Sequence, residues 1–221
     1  MISNNLLAIQ NKISLALEYS GRSSDSCILI GVSKTKPLSL MKEAFSSGLK
    51  DFGENYVEEF NSKYNEYKPE GFNYHFIGRL PTKKVRKIVG KAKLIHSVSS
   101  LKLAKKIDFV SQEEGIIQEI LLQINQGGES SKSGFGNDIN AYFEELLNLS
   151  NIKISGLMSI PPFSEPARPF FISLRELRDS LESQFSLKLP YLSMGMSGDF
   201  EEAIIEGSTH VRVGTSIFGS R

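Results

Sequence analysis

Short apolar runs typical of β-strands alternate along this chain with segments of helical spacing, and this alternation constrains the fold most strongly. The predicted strands cover 27–33, 50–53, 74–77, 93–98, 115–125, 152–158, 189–194 and 210–213. Alternating strands and helices build a parallel sheet with helices outside it. Eight such units in 221 residues predict a single α/β domain over 1–221, a (β/α)8 TIM barrel. An open doubly wound sheet is the alternative, because periodicity does not show whether the last strand pairs with the first.

The segments between the strands carry apolar residues on one helical face. An extra helix precedes the barrel, because a stripe of apolar residues runs from Ile2 to Leu17 and ends near Gly21. Pro37 and Pro81 are suited to first helical turns. Four further helical faces are lined by Leu38, Met41 and Phe45; by Val85, Ile88 and Val89; by Phe170, Leu174, Leu177 and Leu181; and by Phe200, Ala203 and Ile204.

Charge and cysteine content exclude several classes of protein. Lys plus Arg number 26 and Asp plus Glu number 25, so the net charge of +1 gives no reason to expect nucleic acid or an anionic membrane as partner. The basic run over 79–87 is interpreted as a solvated helix face. Cys27 is the single cysteine, so no disulfide framework is possible, and its apolar surroundings predict an inert thiol.

Neither the N-terminus nor the rest of the sequence shows a membrane or export signal. The start lacks the basic and apolar regions of a signal peptide. No apolar run approaches the ~18 residues that span a bilayer. We therefore expect a cytoplasmic protein. The three histidines, His75, His96 and His210, are scattered without metal-ligand spacing, so no metal is expected.

Lys34 is the first candidate functional residue, because reactive groups of barrels collect where strands end. It follows the first predicted strand and shares the parity of Ile30 and Val32, so its stem leaves an apolar row. Partial desolvation would lower the pKa of this amine, as formation of an imine with an aldehyde requires. A surface lysine with its stem on the rim is the alternative. Lys36 is interpreted as solvated.

The second candidate feature is a phosphate site near the end of the chain. Barrels often bind phosphate with the loops after strands seven and eight. Here these loops contain Ser197, Gly214 and Thr215, although their glycines could be turn residues alone. Arg212 lies within the last strand and must be paired there, with a phosphate, another side chain or a ligand ring nitrogen.

Two other features are given structural interpretations. Glu54, Glu58 and Glu59 are predicted to be carboxylates on a helix surface. Residues 127–134 are predicted to form a long flexible loop after the fifth strand.

Seven motifs in order along the chain resemble those of the pyridoxal phosphate homeostasis protein family. They are Val-Ser-Lys-Thr-Lys-Pro at 32–37, Phe-Gly-Glu-Asn-Tyr-Val at 52–57, His-Phe-Ile-Gly at 75–78, Lys-Ser-Gly at 132–134, Gly-Leu-Met at 156–158, Leu-Ser-Met-Gly-Met-Ser-Gly-Asp at 192–199, and the segment 207–219. One departure is Pro-Thr-Lys-Lys at 81–84, where many relatives carry a Gln and an Asn.

The resemblance implies a fold-type III barrel like the N-terminal domain of alanine racemase, with pyridoxal 5′-phosphate (PLP) held as a Schiff base on Lys34. It implies that Ser197, Gly214 and Thr215 bind the phosphate and that Asn55 lies near the ring hydroxyl. Arg212 matches the basic residue at the pyridine side of the cofactor; whether it contacts the ring nitrogen or the phosphate is open.

The resemblance further implies a monomeric protein that buffers PLP and delivers it to apo-enzymes, with no established catalytic activity. The racemases add a second domain with a catalytic tyrosine, for which a chain ending at Arg221 leaves no room. A weak racemase or lyase with Lys34 as its base is the first alternative. A phosphate-binding barrel without cofactor, in which Lys34 attacks sugar aldehydes, is the second.

Overall fold

The chain folds into a closed barrel of eight parallel strands. The computed structural model describes residues 2–127, 133–136, 139–162 and 165–219. Each strand pairs with the next along the chain, and the first also pairs with the last. The strands are β1 (Ile28–Val32), β2 (Asp51–Glu54), β3 (Asn73–Phe76), β4 (Leu94–Val98), β5 (Gln118–Ile124), β6 (Ile152–Ser159), β7 (Tyr191–Met196) and β8 (His210–Val213). The β1–β8 pairing confirms the predicted barrel and excludes the open sheet.

Helices connect the strands on the outside of the barrel. They are α1 (Ile2–Tyr19), α2 (Leu38–Ser46), α3 (Val57–Glu66), α4 (Leu101–Glu113), α5 (Asn140–Leu147), α6 (Arg168–Phe185), α7 (Phe200–Ile205) and α8 (Thr215–Phe218). The segment that begins after Pro81 forms a 3-10 helix over Thr82–Lys87 and not an α-helix. None of these described helices combines the length with the apolar character that a bilayer span needs.

Successive residues of each strand face opposite sides of the barrel wall. Val211 and Val213 of β8 belong to the large core between the strands and the helices. His210 and Arg212, which alternate with them, therefore point into the barrel. A small apolar cluster of Leu94, Leu121 and Met158 also lies inside. The barrel interior is consequently mixed in polarity, whereas barrel interiors are usually filled by branched aliphatic side chains.

The extra N-terminal helix covers the seam where the barrel closes. The buried stripe of α1 includes Leu6, Ile13 and Leu17, as its spacing predicts. This stripe packs against α2, α7 and α8, the helices beside β1 and β8. The Asn5 side chain also donates a hydrogen bond to the carbonyl oxygen of Ile217 (3.0 Å). Helix α1 thus supports the wall that carries the candidate lysine and phosphate loops.

Cys27 precedes β1 and is half-buried. Burial raises the pKa of its thiol to about 11, with a small opposing effect from Arg22. A thiol of that pKa is protonated at neutral pH and is a poor nucleophile, in agreement with the prediction of an inert side chain.

Candidate functional site

The predicted cofactor residues follow four neighbouring strands at one end of the barrel. Lys34 follows β1, Asn55 follows β2, Ser197 follows β7, and Gly214 and Thr215 follow β8. Because the strand order is β7-β8-β1-β2 around the wall, these residues form one continuous arc at the carboxyl ends of the strands. Residues more than 150 positions apart in the sequence are brought to the same rim by closure of the barrel.

Lys34 lies in a tight turn at the end of β1. The Lys36 amide donates to the carbonyl oxygen of Ser33 (3.0 Å), which closes the turn around Lys34 and Thr35. Lys34 itself is half-buried and follows the inward parity of Ile30. Among the described residues, none forms a hydrogen bond or an ion pair with its ammonium group. The amine is therefore free to react with a ligand at the barrel mouth.

Arg212 is a buried cation with spare hydrogen-bond donors. Its Nη1 donates to Ser193 Oγ (2.6 Å) and its Nη2 donates to the carbonyl oxygen of Ser159 (2.9 Å). No carboxylate among the described residues forms an ion pair with it. Burial lowers its pKa to about 10, so the guanidinium remains charged at neutral pH. A buried arginine that donates to neutral oxygens alone still has N–H groups and charge for an anionic or electron-rich ligand.

The loops after β7 and β8 bring backbone close to the rim. A Cβ atom on Gly214 would lie 3.2 Å from the carbonyl oxygen of Val32, so this glycine lets the end of β8 approach the end of β1. Helix α8 begins at Thr215, and the first amides of a helix lack intrahelical acceptors. The Ser197 loop is fixed by Asp199, whose Oδ1 accepts from the Met196 amide (2.5 Å). This arrangement is suited to phosphate oxygens.

Asn55 lies where the arc meets a cavity. Its Oδ1 is buried and has no hydrogen-bond partner among the described residues. Gly78 must lack a side chain there, because a Cβ atom would lie 2.0 Å from the carbonyl oxygen of Asn55. The cavity has a volume of about 270 Å³ and extends over the ends of β3 to β6. Its polar lining comes from Asn55, Ser97, Ser99, Gln123, Asn125 and Ser133, with the exposed Arg79 at the rim.

A chain of hydrogen bonds runs through the barrel interior beneath Arg212. Asp51 Oδ1 lies 2.9 Å from His75 Nε2, and His75 Nδ1 lies 3.0 Å from His96 Nε2. His96 Nδ1 lies 2.8 Å from Ser193 Oγ, which also accepts from Arg212. With both imidazoles uncharged, one assignment of hydrogens satisfies every link: each group donates to the next from Arg212 down to Asp51. The chain thus connects a cation at the site with an anion at the opposite end of the barrel.

The histidines that are scattered in the sequence therefore lie together in the structure. The ring centroids of His75, His96 and His210 are 5.2 to 6.3 Å apart. Burial lowers the pKa of His96 well below its usual value, and the neighbouring His75, His210 and Arg212 add to this effect. Burial also lowers the pKa of His210 to about 3. Within the described residues no group of three potential ligands is placed to hold a metal.

The lowered pKa values of the buried His96 and His210 predict a loss of stability in mild acid. The unfolded chain protonates His210 near its ordinary pKa of about 6.5, whereas the folded chain does so only near 3. The unfolded state therefore binds more protons as the pH falls below 6.5, and folding weakens. Urea unfolding at pH 7 and pH 5.5 should show that the wild type loses about 1 kcal/mol more than His210→Gln. Equal losses in the two proteins would contradict this assignment of His210.

The structure corrects the interpretation of Glu54 as a helix-surface carboxylate, whereas Glu59 does lie on α3 and is half-buried. Strand β2 extends to Glu54, whose side chain is fully buried between β2 and α3. Lys63 of α3 forms ion pairs with both Glu54 and Glu59 (2.7 Å each). Glu58 is solvent-exposed, as expected, and pairs with Lys84. No sequence pattern identified Lys63, because the spacing of α3 does not show that one of its lysines is buried.

Of the motif residues at 132–134, Lys132 lies outside the described residues. Ser133 lines the cavity, and a Cβ atom on Gly134 would lie 2.7 Å from the Asn125 amide nitrogen. Part of the predicted loop over 127–134 therefore borders the site.

Comparison with known proteins places the chain in a family. Residues 5–221 match the family model described as alanine racemase, N-terminal domain. The chain is similar to the pyridoxal phosphate homeostasis protein of Aquifex aeolicus (strain VF5), with 44% identity over 220 residues covering 98% of this chain and 96% of that protein. It is also similar to the protein of that name from Escherichia coli (strain K12), with 37% identity over 230 residues covering 100% of this chain and 97% of that protein.

Solved structures agree with this placement. The chain resembles PipY of Synechococcus elongatus PCC7942 with PLP bound, with a TM-score of 0.87 and 33% identity over 99% of this chain and 100% of that chain. An alanine racemase of Clostridium difficile 630 shares the fold, with a TM-score of 0.78 and 15% identity over 100% of this chain and 56% of that chain. Fold and rim thus define a barrel of the alanine racemase type.

Within this type, the chain belongs to the pyridoxal phosphate homeostasis protein family. The resemblance carried by the sequence motifs is confirmed.

Proposed function

We propose that this chain binds PLP at the carboxyl end of the barrel and serves its homeostasis by buffering and delivering it. In this proposal the Lys34 amine condenses with the aldehyde of PLP, so that a C=N bond forms and water leaves. The observation that carries the proposal is the arc at the rim. The Lys34 amine, which forms no hydrogen bond or ion pair with a described residue, lies one strand away from the buried Arg212 and from the glycine turn at the start of α8. The names of the relatives, and PLP bound to the similar PipY, support it.

The residues of this rim are chemically suited to PLP. The amides near Gly214 and Thr215 and the hydroxyl of Ser197 can accept a phosphate, which is the usual anion at such loops. The buried, unpaired Oδ1 of Asn55 can receive a hydrogen bond from a ring hydroxyl. Arg212 supplies charge beneath them. When bound, PLP supplies a reactive aldehyde and an electron-withdrawing ring.

The cavity beside the arc favours a carrier over an enzyme. Proton transfer to or from a substrate needs a positioned acid or base of suitable pKa. Among the described residues that line the cavity, none is a carboxylate, histidine, lysine, cysteine or tyrosine. A small amine could enter this space, but none of the described residues that line it offers a base. Slow proton exchange at the α carbon of amino acids in deuterated water is therefore expected, and rapid exchange would favour the enzyme.

Transfer to an apo-enzyme tests the carrier function directly. The PLP-loaded protein is mixed with an apo-aminotransferase in the presence of a phosphatase that destroys free PLP. We expect the apo-enzyme to regain activity faster than with the same amount of free PLP under the same conditions. The Lys34→Met protein, treated in the same way, serves as the control and should give no such advantage. Recovery no better than with free PLP would refute delivery. It would not refute binding, which reduction with borohydride tests separately.

We further propose that the carrier is monomeric, is located in the cytoplasm, and contacts PLP-dependent apo-enzymes during transfer. Sedimentation of the loaded protein should show one species with the mass of a single chain.

A further inference from the structure

An ionic cluster, buried except at the half-buried Glu59, lies behind the Lys34 turn on the outer side of the barrel wall. It consists of Glu54, Lys63 and Glu59, and we refer to it as the clamp. Glu54 is fully buried and Lys63 is 7% exposed. Burial raises the pKa of Glu54, while the charge and hydrogen bond of Lys63 oppose this rise. The Lys63 ammonium lies 2.7 Å from a carboxylate oxygen of each glutamate.

The clamp holds both chain neighbours of Lys34. Ser33 Oγ donates to Glu54 Oε1 (2.6 Å), and Lys63 Nζ donates to the carbonyl oxygen of Ser33 (2.8 Å). The Thr35 amide donates to Glu59 Oε1 (2.7 Å). Three bonds from outside the wall therefore hold the residues on either side of Lys34, two of them at backbone atoms and one at the Ser33 hydroxyl, and none involves the Lys34 side chain.

One of these bonds supports a strained conformation. Thr35 has a φ of +62°, the left-handed region that β-branched residues rarely adopt. It occupies the third position of the turn closed by Ser33 and Lys36, where glycine or asparagine is usual when φ is positive. Such strain persists when the surroundings hold it in place, and it concentrates at functional sites. Here the surroundings are the carboxylate of Glu59 and, through it, Lys63.

Stability alone does not explain the clamp. The same space between β2 and α3 is otherwise filled by aromatic side chains such as Phe52 and Phe60. Burying an ion pair in place of apolar side chains brings little or no gain in stability, because both charges lose their hydration. The charged groups instead fix the geometry of the turn, because each of their hydrogen bonds holds one of its atoms in place. Lys63 itself is unsuited to bind an aldehyde, because it is buried and donates three hydrogen bonds.

We propose that Glu54, Lys63 and Glu59 are positioning residues that hold the Lys34 amine toward the barrel mouth. This inference rests on the proposed function of Lys34. Without Lys63, the Ser33 carbonyl loses its donor and Glu59 loses the cation that holds it beside Thr35. The turn then relaxes, and Lys34 samples orientations that do not face the bound aldehyde. Misplacement of a reacting group by about 1 Å can slow a reaction by about a hundredfold.

Kinetics of PLP capture test the clamp. PLP is added to wild type and variants, imine formation is followed by visible absorbance, and borohydride-reduced lysines are mapped by mass spectrometry. Lys63→Met should capture PLP at least about tenfold more slowly than wild type. The ratio of label on Lys34 to label on Lys36 should also fall, which general destabilisation of the fold would not cause. Lys84→Met is the control. It removes a partner of Glu58, which lies on α3 but outside the clamp, and its rate of PLP capture should stay within about twofold of the wild-type rate.

A double variant separates positioning from simple burial of charge. Lys63→Met leaves Glu54 buried without its cation, which can prevent folding. Glu54→Gln/Lys63→Met removes both charges with little change in volume and should fold. If the clamp positions Lys34, this variant still captures PLP slowly and with a reduced Lys34 to Lys36 ratio. Capture at the wild-type rate and ratio would overturn the clamp, whereas absence of label on Lys34 in the wild type would overturn the proposed function instead.

Discussion

Replacing Lys34 with methionine is expected to abolish covalent capture of PLP. Methionine keeps the length of the stem but has no amine, so neither visible imine absorbance nor a borohydride-stable label should form. The affinity for PLP should fall by about a hundredfold or more. The imine forms on PLP that is already bound noncovalently, and such an intramolecular second attachment adds strongly to affinity. Equilibrium dialysis and absorbance spectra of the variant measure both effects.

Lys36→Met is the matched control for this change. Lys36 lies two residues away, and its Nζ donates to the carbonyl oxygen of Gly219 (3.0 Å). We expect this variant to capture PLP with nearly the wild-type absorbance. If Lys36→Met lost the imine while Lys34→Met kept it, Lys36 and not Lys34 would be the lysine that captures PLP.

Replacing Arg212 with methionine is expected to change stability and ligand affinity in different ways. Removal of the guanidinium relieves a buried charge that forms no ion pair with a described residue, but it also takes the donor from the Ser193 hydroxyl and the Ser159 carbonyl, so the free energy of unfolding of the unliganded protein should change little. Affinity for PLP should fall by about 10- to 100-fold, the value of a hydrogen bond to a charged group. Urea unfolding and equilibrium dialysis measure the two effects separately.

Comparison of PLP with pyridoxal, which lacks the phosphate, defines the contact that Arg212 makes. If Arg212 binds the phosphate, Arg212→Met should weaken PLP and leave pyridoxal unchanged. If it faces the ring nitrogen, both ligands should weaken equally. Arg22→Met is the control, because Arg22 also donates to carbonyl oxygens but lies at the opposite end of the barrel. If Arg212→Met bound both ligands with wild-type affinity, Arg212 would not belong to the PLP site.

The barrel and the order of its rim residues could be predicted from the sequence because both depend on local patterns. Strand and helix periods, with glycine and proline at their ends, give all eight strands to within a few residues. The strand predicted over 115–125 begins three residues later, at Gln118, because Gly115 and Ile116 belong to the turn after α4. Parity within β1 and β8 places Lys34 and Arg212 on the inner side of the wall.

The contacts behind the site could not be predicted, because they join residues far apart in the sequence. The sequence pattern places Glu54 on a helix surface, because periodicity does not show that β2 includes one residue more than expected. Lys63 donates to Ser33 across 30 positions, and His96 contacts Ser193 across 97. Such pairings depend on the register of neighbouring strands and on the rotation of α3, neither of which a single sequence specifies. The roles of all six site residues toward PLP stay predictions: Lys34, Asn55, Ser197, Arg212, Gly214 and Thr215.

Borohydride reduction of the wild-type protein in the presence of PLP shows whether Lys34 captures the cofactor. Peptide mapping by mass spectrometry then locates the pyridoxyl group that reduction fixes on an amine. We expect the label on Lys34, at close to one group per chain. A label found on other lysines while Lys34 stays unmodified would contradict it.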